Sequence, residues 1–223
     1  MKNPIATALS AFAPVLIAPA GACNDVDPVD QGALPPGPPP SGVDVGPRPP
    51  NPALAVALRD VVLAGSGCRG AGSAVAALSP EGDAIHVDFD ALGADTTTGP
   101  AKQARSCTMV GTLEALPGHR VAITGISAVG DVDLNGGASA RLIVRHFVPG
   151  NPGAGSASRT VVGPFHGMTP VSSVDPSPAW SGCGASQRIA MTATVFVDAG
   201  RGRAGGSAGI DGLDLELAIE PCP

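Results

Sequence analysis

Beyond residue 54, apolar and polar side chains alternate in short runs separated by glycine, proline, asparagine and aspartate. The last run is the clearest, because Leu213, Leu215, Leu217 and Ile219 fall on one side and the residues between them on the other. A period of two is typical of β-strands with one buried face. No long stretch shows the period of 3.6 that an amphipathic helix requires, so the pattern predicts an all-β domain.

Nine segments carry this alternation or the matching short apolar pattern. Strands at this spacing, joined by turn residues, favour a single antiparallel β-sandwich over residues 54–223. The predicted strands are residues 54–63, 73–78, 84–92, 106–116, 119–128, 139–148, 158–165, 187–198 and 210–220.

The N-terminal segment has the order of a secretory signal peptide. Lys2 supplies a positive charge, residues 5–17 are mostly apolar, and residues 18–22 are small. The apolar run is too short and too interrupted by proline to span a bilayer. We therefore predict that residues 1–22 are a signal peptide and that the protein is exported.

Cys23 directly follows Ala20-Gly21-Ala22, which is similar to a bacterial lipoprotein box, although such boxes usually carry leucine where this chain has Ala20. Five cysteines is an odd number, and in an oxidising compartment the other four can pair. We predict a lipid at Cys23 that anchors the protein to a membrane, on its periplasmic or outer surface. The alternative is ordinary cleavage nearby, which leaves a secreted protein with a free or intermolecular thiol.

Residues 23–53 form a distinct segment. Between residues 24 and 52 there are ten prolines, four aspartates and almost no large apolar side chains. Such a composition cannot bury enough surface to offset the entropy of ordering. We predict a disordered, semi-rigid Pro-rich tether that holds the domain away from the membrane. A proline-motif ligand for a partner is the alternative interpretation.

Charge and aromatic content limit the partners. The chain carries a net charge of −6, and loss of residues 1–22 leaves 12 basic and 19 acidic residues, or −7. An acidic protein repels phosphate backbones, so nucleic acid is not an expected partner. With one Trp and no Tyr, the chain also offers few rings for stacking on sugars.

The spacing of the last two predicted strands suggests one disulfide. If residues 187–198 and 210–220 form a hairpin, Cys183 lies near Cys222, and Cys68 is left to pair with Cys107. Four cysteines allow three connectivities, so this pairing is a preference among alternatives.

Five short elements occur in a recognisable order within the predicted domain. They are Gly65-Ser66-Gly67-Cys68, the strand from Ile85 to Asp90, Arg105-Ser106-Cys107, Cys183-Gly184, and a terminal strand that ends in Cys222. This order resembles the family of secreted bacterial and fungal proteins known as domain of unknown function 4360. The resemblance covers about residues 62–223. It implies a secreted β domain and carries no implication about catalysis.

Two acidic clusters are candidate metal sites. Asp131, Asp133 and Asn135 match the first half of a calcium loop, with Gly136 at the sixth position, but position twelve is Leu142 instead of glutamate. An Asn-Gly hairpin turn explains the same residues.

The second cluster lies on one predicted strand. His86, Asp88 and Asp90 alternate, so they share a face and could bind a metal or act as acid and base. The alternative is the exposed polar face of a sheet. His119, His146 and His166 have no partner that the sequence identifies.

Two glycine motifs match catalytic or cofactor fingerprints in letters only. Residues 65–70 read G-x-G-x-x-G, but the chain lacks the βαβ alternation of a dinucleotide fold. Residues 205–209 read G-x-S-x-G, without the strand-to-helix context of a nucleophile elbow. We interpret the first as a turn beside a disulfide cysteine and the second as a loop.

The sequence thus favours a non-catalytic module with no cofactor and with a structural or binding role at the cell envelope. Its ligand would be an unidentified envelope or extracellular molecule. The alternative is a metal-dependent exported enzyme that uses the His86 strand or the Asp131 segment.

Overall fold

The computed structural model describes residues 55–150 and 155–223. The predicted signal peptide (1–22), lipid attachment at Cys23 and tether (23–53) lie outside these residues. No helix in the described ranges is long and apolar enough to cross a membrane. The described ranges form eleven strands: β1 Val56–Ala64, β2 Ala74–Leu78, β3 Ala84–Phe89, β4 Gly93–Asp95, β5 Lys102–Ala115, β6 His119–Leu134, β7 Ser139–Phe147, β8 Ser156–Val162, β9 Phe165–Val174, β10 Ser186–Asp198 and β11 Gly206–Pro221.

The strands form two antiparallel sheets. Sheet 1 has the order β1-β5-β10-β7-β8. Sheet 2 has the order β2-β3-β11-β6-β9, with the short strand β4 also paired to β11. The all-β sandwich predicted from the alternation is therefore confirmed.

The alternating apolar residues form the core between the sheets. In β11, Leu213 and Leu215 are buried, while the intervening Asp214 points outward. In β10 of sheet 1, Met191 and Val195 are buried in the same core cluster. Because each sheet buries one face only, every strand leaves a second row of side chains outside the sandwich.

The predicted hairpin of the last two strands is wrong. β10 pairs with β5 and β7 in sheet 1, whereas β11 pairs with β6, β3 and β4 in sheet 2. Each is an interior strand with neighbours on both edges, so neither has an edge free for the other. The connection over residues 199–205 crosses between the sheets instead of turning within one.

Both disulfides are nevertheless the favoured pairs. Cys183 and Cys222 have Cα atoms 6.0 Å apart, and Cys68 and Cys107 have Cα atoms 5.4 Å apart. Cys183 and Cys222 come together because the segments that carry them both bind the backbone at the start of β6. The amide of Cys222 donates to the carbonyl of Gly118 at 2.8 Å, and that of Gly184 donates to His119 at 2.8 Å.

Two strands escaped prediction. β9 contains Gly167 and Pro170, which interrupt the apolar alternation, and β4 has only three residues. β6 continues to Leu134, beyond the predicted end at residue 128. The predicted strand 158–165 is β8, which ends at Val162.

Candidate binding surface

The outer face of sheet 2 is assembled by the register of β3, β11 and β6. His86 lies opposite Asp214, and Asp214 lies opposite Ser127. In the next row, Asp88 lies opposite Gly212, and Gly212 opposite Val129. Residues 128 positions apart in sequence thus become neighbours on one surface.

His86 is held by two carboxylates. Its Nδ1 lies 2.7 Å from Oδ1 of Asp214, and its Nε2 lies 2.9 Å from Oδ1 of Asp88. The hydrogen bond to Asp214 is the largest cause that raises the pKa of His86, and the charge of Asp88 adds to it. Both ring nitrogens are engaged, so the imidazole is oriented on the surface and favours its protonated form.

An open depression of about 330 Å³ lies beside this group. Its lining combines polar side chains with apolar ones, of which Val129 and Met168 are 43% and 67% exposed. Gly212 lies in this lining, and a Cβ there would sit 3.5 Å from Oδ1 of Asp88. The site is a shallow surface and not an enclosed cleft.

The predicted half calcium loop is not a loop. Asp131 and Asp133 lie within β6, so their side chains follow one another along an extended strand. Asn135 begins the turn to β7, and its amide nitrogen donates to the carbonyl of Ala204 at 2.9 Å. The three side chains therefore do not converge as cation ligands, and the Asn-Gly turn describes this segment better.

The second candidate cluster is rearranged. His86 and Asp88 share the outer face as expected, but β3 ends at Phe89 and leaves Asp90 outside the strand. Asp214, from a strand the sequence did not link to β3, takes the place beside His86. Within the described ranges, no group of three or more His, Cys, Asp or Glu residues is arranged to hold a metal ion.

The remaining histidines occupy different environments. His166 on β9 lies 2.7 Å from Asp133, through Nδ1 and Oδ1, and adds a second His–Asp pair to the same outer face. His146 on β7 is 3% exposed, and neither ring nitrogen has a hydrogen-bond partner. Burial lowers the pKa of His146, because a charged ring there would lose its hydration.

The glycine motif at residues 65–70 lies in the connection between β1 and β2. The amide of Gly67 donates to the carbonyl of Ser106 at 2.8 Å, beside the disulfide of Cys68. A Cβ at Gly65 would lie 2.1 Å from that same carbonyl oxygen, so only glycine fits. In the other motif, β11 starts at Gly206 and continues through Gly209, so Ser207 lies on a strand.

Charge is divided between the two sheets. The strands of sheet 2 carry eight acidic residues and one basic residue, Arg120, which forms an ion pair with Glu220. The strands of sheet 1 carry three acidic residues and seven basic ones. We call the outer face of sheet 2 the acidic face, defined by Asp88, Asp131, Asp133, Asp211, Asp214 and Glu216.

Two cations of sheet 1 are already matched. Arg59 pairs with Glu114, and Lys102 pairs with Asp198 at 2.9 Å. Arg141, Arg145 and Arg188 are exposed and form no ion pair with another described residue. We call these three residues the basic face. Sequence reasoning missed both faces, because neither exists until strands distant in sequence are assigned to a sheet.

Comparison with solved structures finds several matching chains, one of which is a carbohydrate-binding module. The family 11 carbohydrate-binding module from Clostridium thermocellum, solved in complex with a β-1,3-1,4-mixed-linked tetrasaccharide, is 11% identical. The alignment covers 73% of this chain and 89% of that one, with a TM-score of 0.19. Comparison with curated proteins finds no match.

The sequence itself matches a known family. Residues 55–220, nearly the whole described domain, match the family described as domain of unknown function DUF4360. This match confirms the resemblance drawn from the order of the cysteines and their flanking residues. The chain therefore belongs to the DUF4360 family.

Proposed function

We propose that this protein is a non-catalytic binding module of the cell envelope, whose acidic face binds a cationic ligand. The observation that carries the proposal is the separation of charge between the two sheets. On sheet 2, six carboxylates share one outer face, and the single basic residue of its strands is already paired. A surface with one sign of charge attracts ligands of the opposite sign and speeds their association.

The depression gives the ligand a specific place on that face. Carboxylates of Asp88, Asp211 and Asp214 surround it, and Val129 and Met168 supply apolar contact. A cationic group with a hydrocarbon stem, such as a lysine or arginine side chain, matches both features. A sugar ligand has less support, because the guanidinium of Arg120 already lies 4.6 Å from the ring centre of Trp180.

A binding role also agrees better with the geometry than an enzymatic one. Both nitrogens of His86 are held by carboxylates, and the surface around it is open to water. Acid–base and electrostatic catalysis gain most where water is excluded. The surface offers carboxylates and apolar groups for contact, which suits reversible association.

Export and anchoring belong to the same proposal. The signal at residues 1–22, the cysteine at position 23 and the Pro-rich segment 23–53 would place the domain outside the inner membrane on a tether. The two disulfides support an oxidising compartment. Intact mass of the protein from a bacterial host tests this: a chain that starts at Cys23 with added acyl mass is expected, and an unlipidated chain would contradict anchoring.

Binding itself is tested with an oligo-arginine peptide as probe. We expect the full chain to bind this peptide at about 20 mM salt and to lose most of the binding at about 500 mM, where screening is short-ranged. D88N/D214N should weaken binding by about three- to tenfold, since exposed charge pairs contribute roughly 0.2–1 kcal/mol each.

A matched control removes the same charge elsewhere. Asp60 and Glu114 lie on strands of sheet 1, away from the acidic face, so D60N/E114Q should bind the peptide as the wild type does. If both double variants weaken binding equally, the effect reflects net charge alone, and the acidic face is not the site. Gly212→Ala sharpens the location, because a Cβ at Gly212 meets only ordinary contacts, the nearest with the carbonyl oxygen of Val87 at 3.4 Å, and it would occupy part of the depression and weaken peptide binding.

A further inference from the structure

We infer that the acidic face takes the basic face of a second copy of this chain, so that the domains associate head to tail. The inference rests on the proposed function, because the basic face is then one cationic ligand of the acidic face. The acidic face and the basic face are complementary in charge, but they cannot contact each other within one molecule. The outer faces of a two-sheet sandwich point in opposite directions.

The arginines of the basic face and two carboxylates of the acidic face are similarly spaced. Arg141 and Arg145 lie four residues apart on β7, about 13 Å at the rise of an antiparallel strand. On sheet 2, Asp214 lies opposite Ser127, and Asp131 lies four residues beyond Ser127 on β6. The same offset along the strands therefore separates Asp214 from Asp131, and two arginines can meet two carboxylates at once.

Apolar side chains accompany the charges on both surfaces. Phe147 follows Arg145 on the outer side of β7 and is 47% exposed. On the acidic face, Val129 lies between the rows that hold Asp214 and Asp131, and Met168 lies opposite Asp131 on β9. Contact between these groups would remove apolar surface from water and so stabilise the interface. Exposed charge pairs alone contribute little, because salt screens them.

The symmetry of such a contact has a clear consequence. The two surfaces differ, so the interface is heterologous and each added copy leaves one acidic and one basic face open. Unless the rotation closes a ring, the assembly grows with concentration and has no fixed copy number. Tethered to one membrane surface, the domains would form a laterally connected layer.

The experiment is sedimentation velocity of the full chain carrying Cys23→Ala, which removes the fifth thiol and any acyl chain. At about 20 mM salt we expect the mean sedimentation coefficient to rise with concentration, and at about 500 mM the single-copy species should dominate. Association through the apolar residues 5–17 would persist at high salt and would overturn the inference.

Charge reversal tests which surfaces meet. R141E/R145E and D131R/D211R should each sediment as a single species at low salt, since each reversal places repelling charges within the proposed contact. R69E/R201E carries the same charge change as the first variant on exposed connecting segments, and it should associate as the wild type does. Melting temperatures of all variants establish that each is folded.

Mixing the two reversed variants gives the decisive result. The intact acidic face of R141E/R145E fits the intact basic face of D131R/D211R, so an equimolar mixture should recover association that neither variant shows alone. No recovery, with both variants folded, overturns the inference. If the wild type binds oligo-arginine but never self-associates, the inference falls and the proposed function stands; if it does neither, both fall.

An anionic surface is the rival occupant of the basic face. If R141E/R145E abolishes binding to vesicles that contain phosphatidylglycerol but leaves sedimentation unchanged, the face docks on lipid and the inference is overturned.

Discussion

The two sheets of this domain share one core but present opposite outer faces. The acidic face of sheet 2 combines six carboxylates with two histidines that are paired to aspartates. The outer face of sheet 1 carries threonines and arginines, with Thr108 and Thr192 bonded across β5 and β10. Both faces obey the same period-two alternation, so alternation fixes only which side chains are outside. The outward residues are free of packing constraints, so their identities, and with them the binding properties, can differ between the two faces.

The largest expected loss of stability comes from a substitution in the core that the two sheets share, compared with one on an outer face. Leu215→Ala removes a fully buried side chain of β11 and should lower the free energy of unfolding by about 2–5 kcal/mol. Asp214→Ala, one residue away and pointing outward, should lower it by less than about 1 kcal/mol while weakening peptide binding. Urea unfolding measures both. Equal losses would mean that the acidic face is a structural element.

The next comparison is between the two disulfides. Each spans 39 residues, so the chain-entropy account gives both about the same stabilisation, roughly 2–4 kcal/mol. Cys183–Cys222 joins a segment leading into sheet 1 to the end of a strand of sheet 2, whereas Cys68–Cys107 joins the connection from β1 to β2 to the interior of β5. We expect C68A/C107A and C183A/C222A to lower the free energy of unfolding by similar amounts. A much larger loss for the second pair would show that the contact between the sheets depends on it.

Much of the fold could be predicted from the sequence, because burial on one face leaves its record in alternation. β11 is the clearest case, with Leu213, Leu215 and Leu217 buried as expected. β9 could not be found, because Gly167 and Pro170 give its alternation no apolar signal. Sheet membership was also hidden, since adjacency in sequence suggested a hairpin where β10 and β11 take other partners.

The candidate surface was predictable only in part. His86 and Asp88 share a strand, so their common face follows from spacing alone. The position of Asp214 does not follow from spacing, because its place beside His86 depends on the register between β3 and β11. His166 and Asp133 are likewise neighbours through the pairing of β9 with β6. The division of charge between the faces follows from such pairings and has no local signature.

The buried histidine of sheet 1 should make the domain sensitive to acid. Burial lowers the pKa of His146, so the unfolded chain takes up a proton at a higher pH than the folded one. Its contribution to stability is complete above the unfolded value near 6.5 and is lost as pH falls below it, by up to about 1.4 kcal/mol per pH unit. His146→Leu should flatten this loss between roughly pH 6.5 and 5 in thermal unfolding. An unchanged pH profile would assign the acid sensitivity to other groups.

The exposed histidine of sheet 2 should act in the opposite sense and more weakly. Asp214, and then Asp88, raise the pKa of His86, so the folded state binds the proton more tightly than the unfolded chain. That stabilisation is present below the unfolded value near 6.5 and is lost as pH rises through the raised value. Because the pair is half exposed, His86→Gln should cost only a few tenths of a kcal/mol at pH 6 and nothing near pH 9.

The same substitution has a second readout on the acidic face. Protonated His86 offsets one of the six carboxylates, so the wild type should bind oligo-arginine more tightly as pH rises from about 6 to 8. In His86→Gln this rise should be smaller, because the imidazole that offsets a carboxylate beside the depression is gone. A pH dependence of binding that is identical in both proteins would mean that the ligand does not approach the depression beside His86.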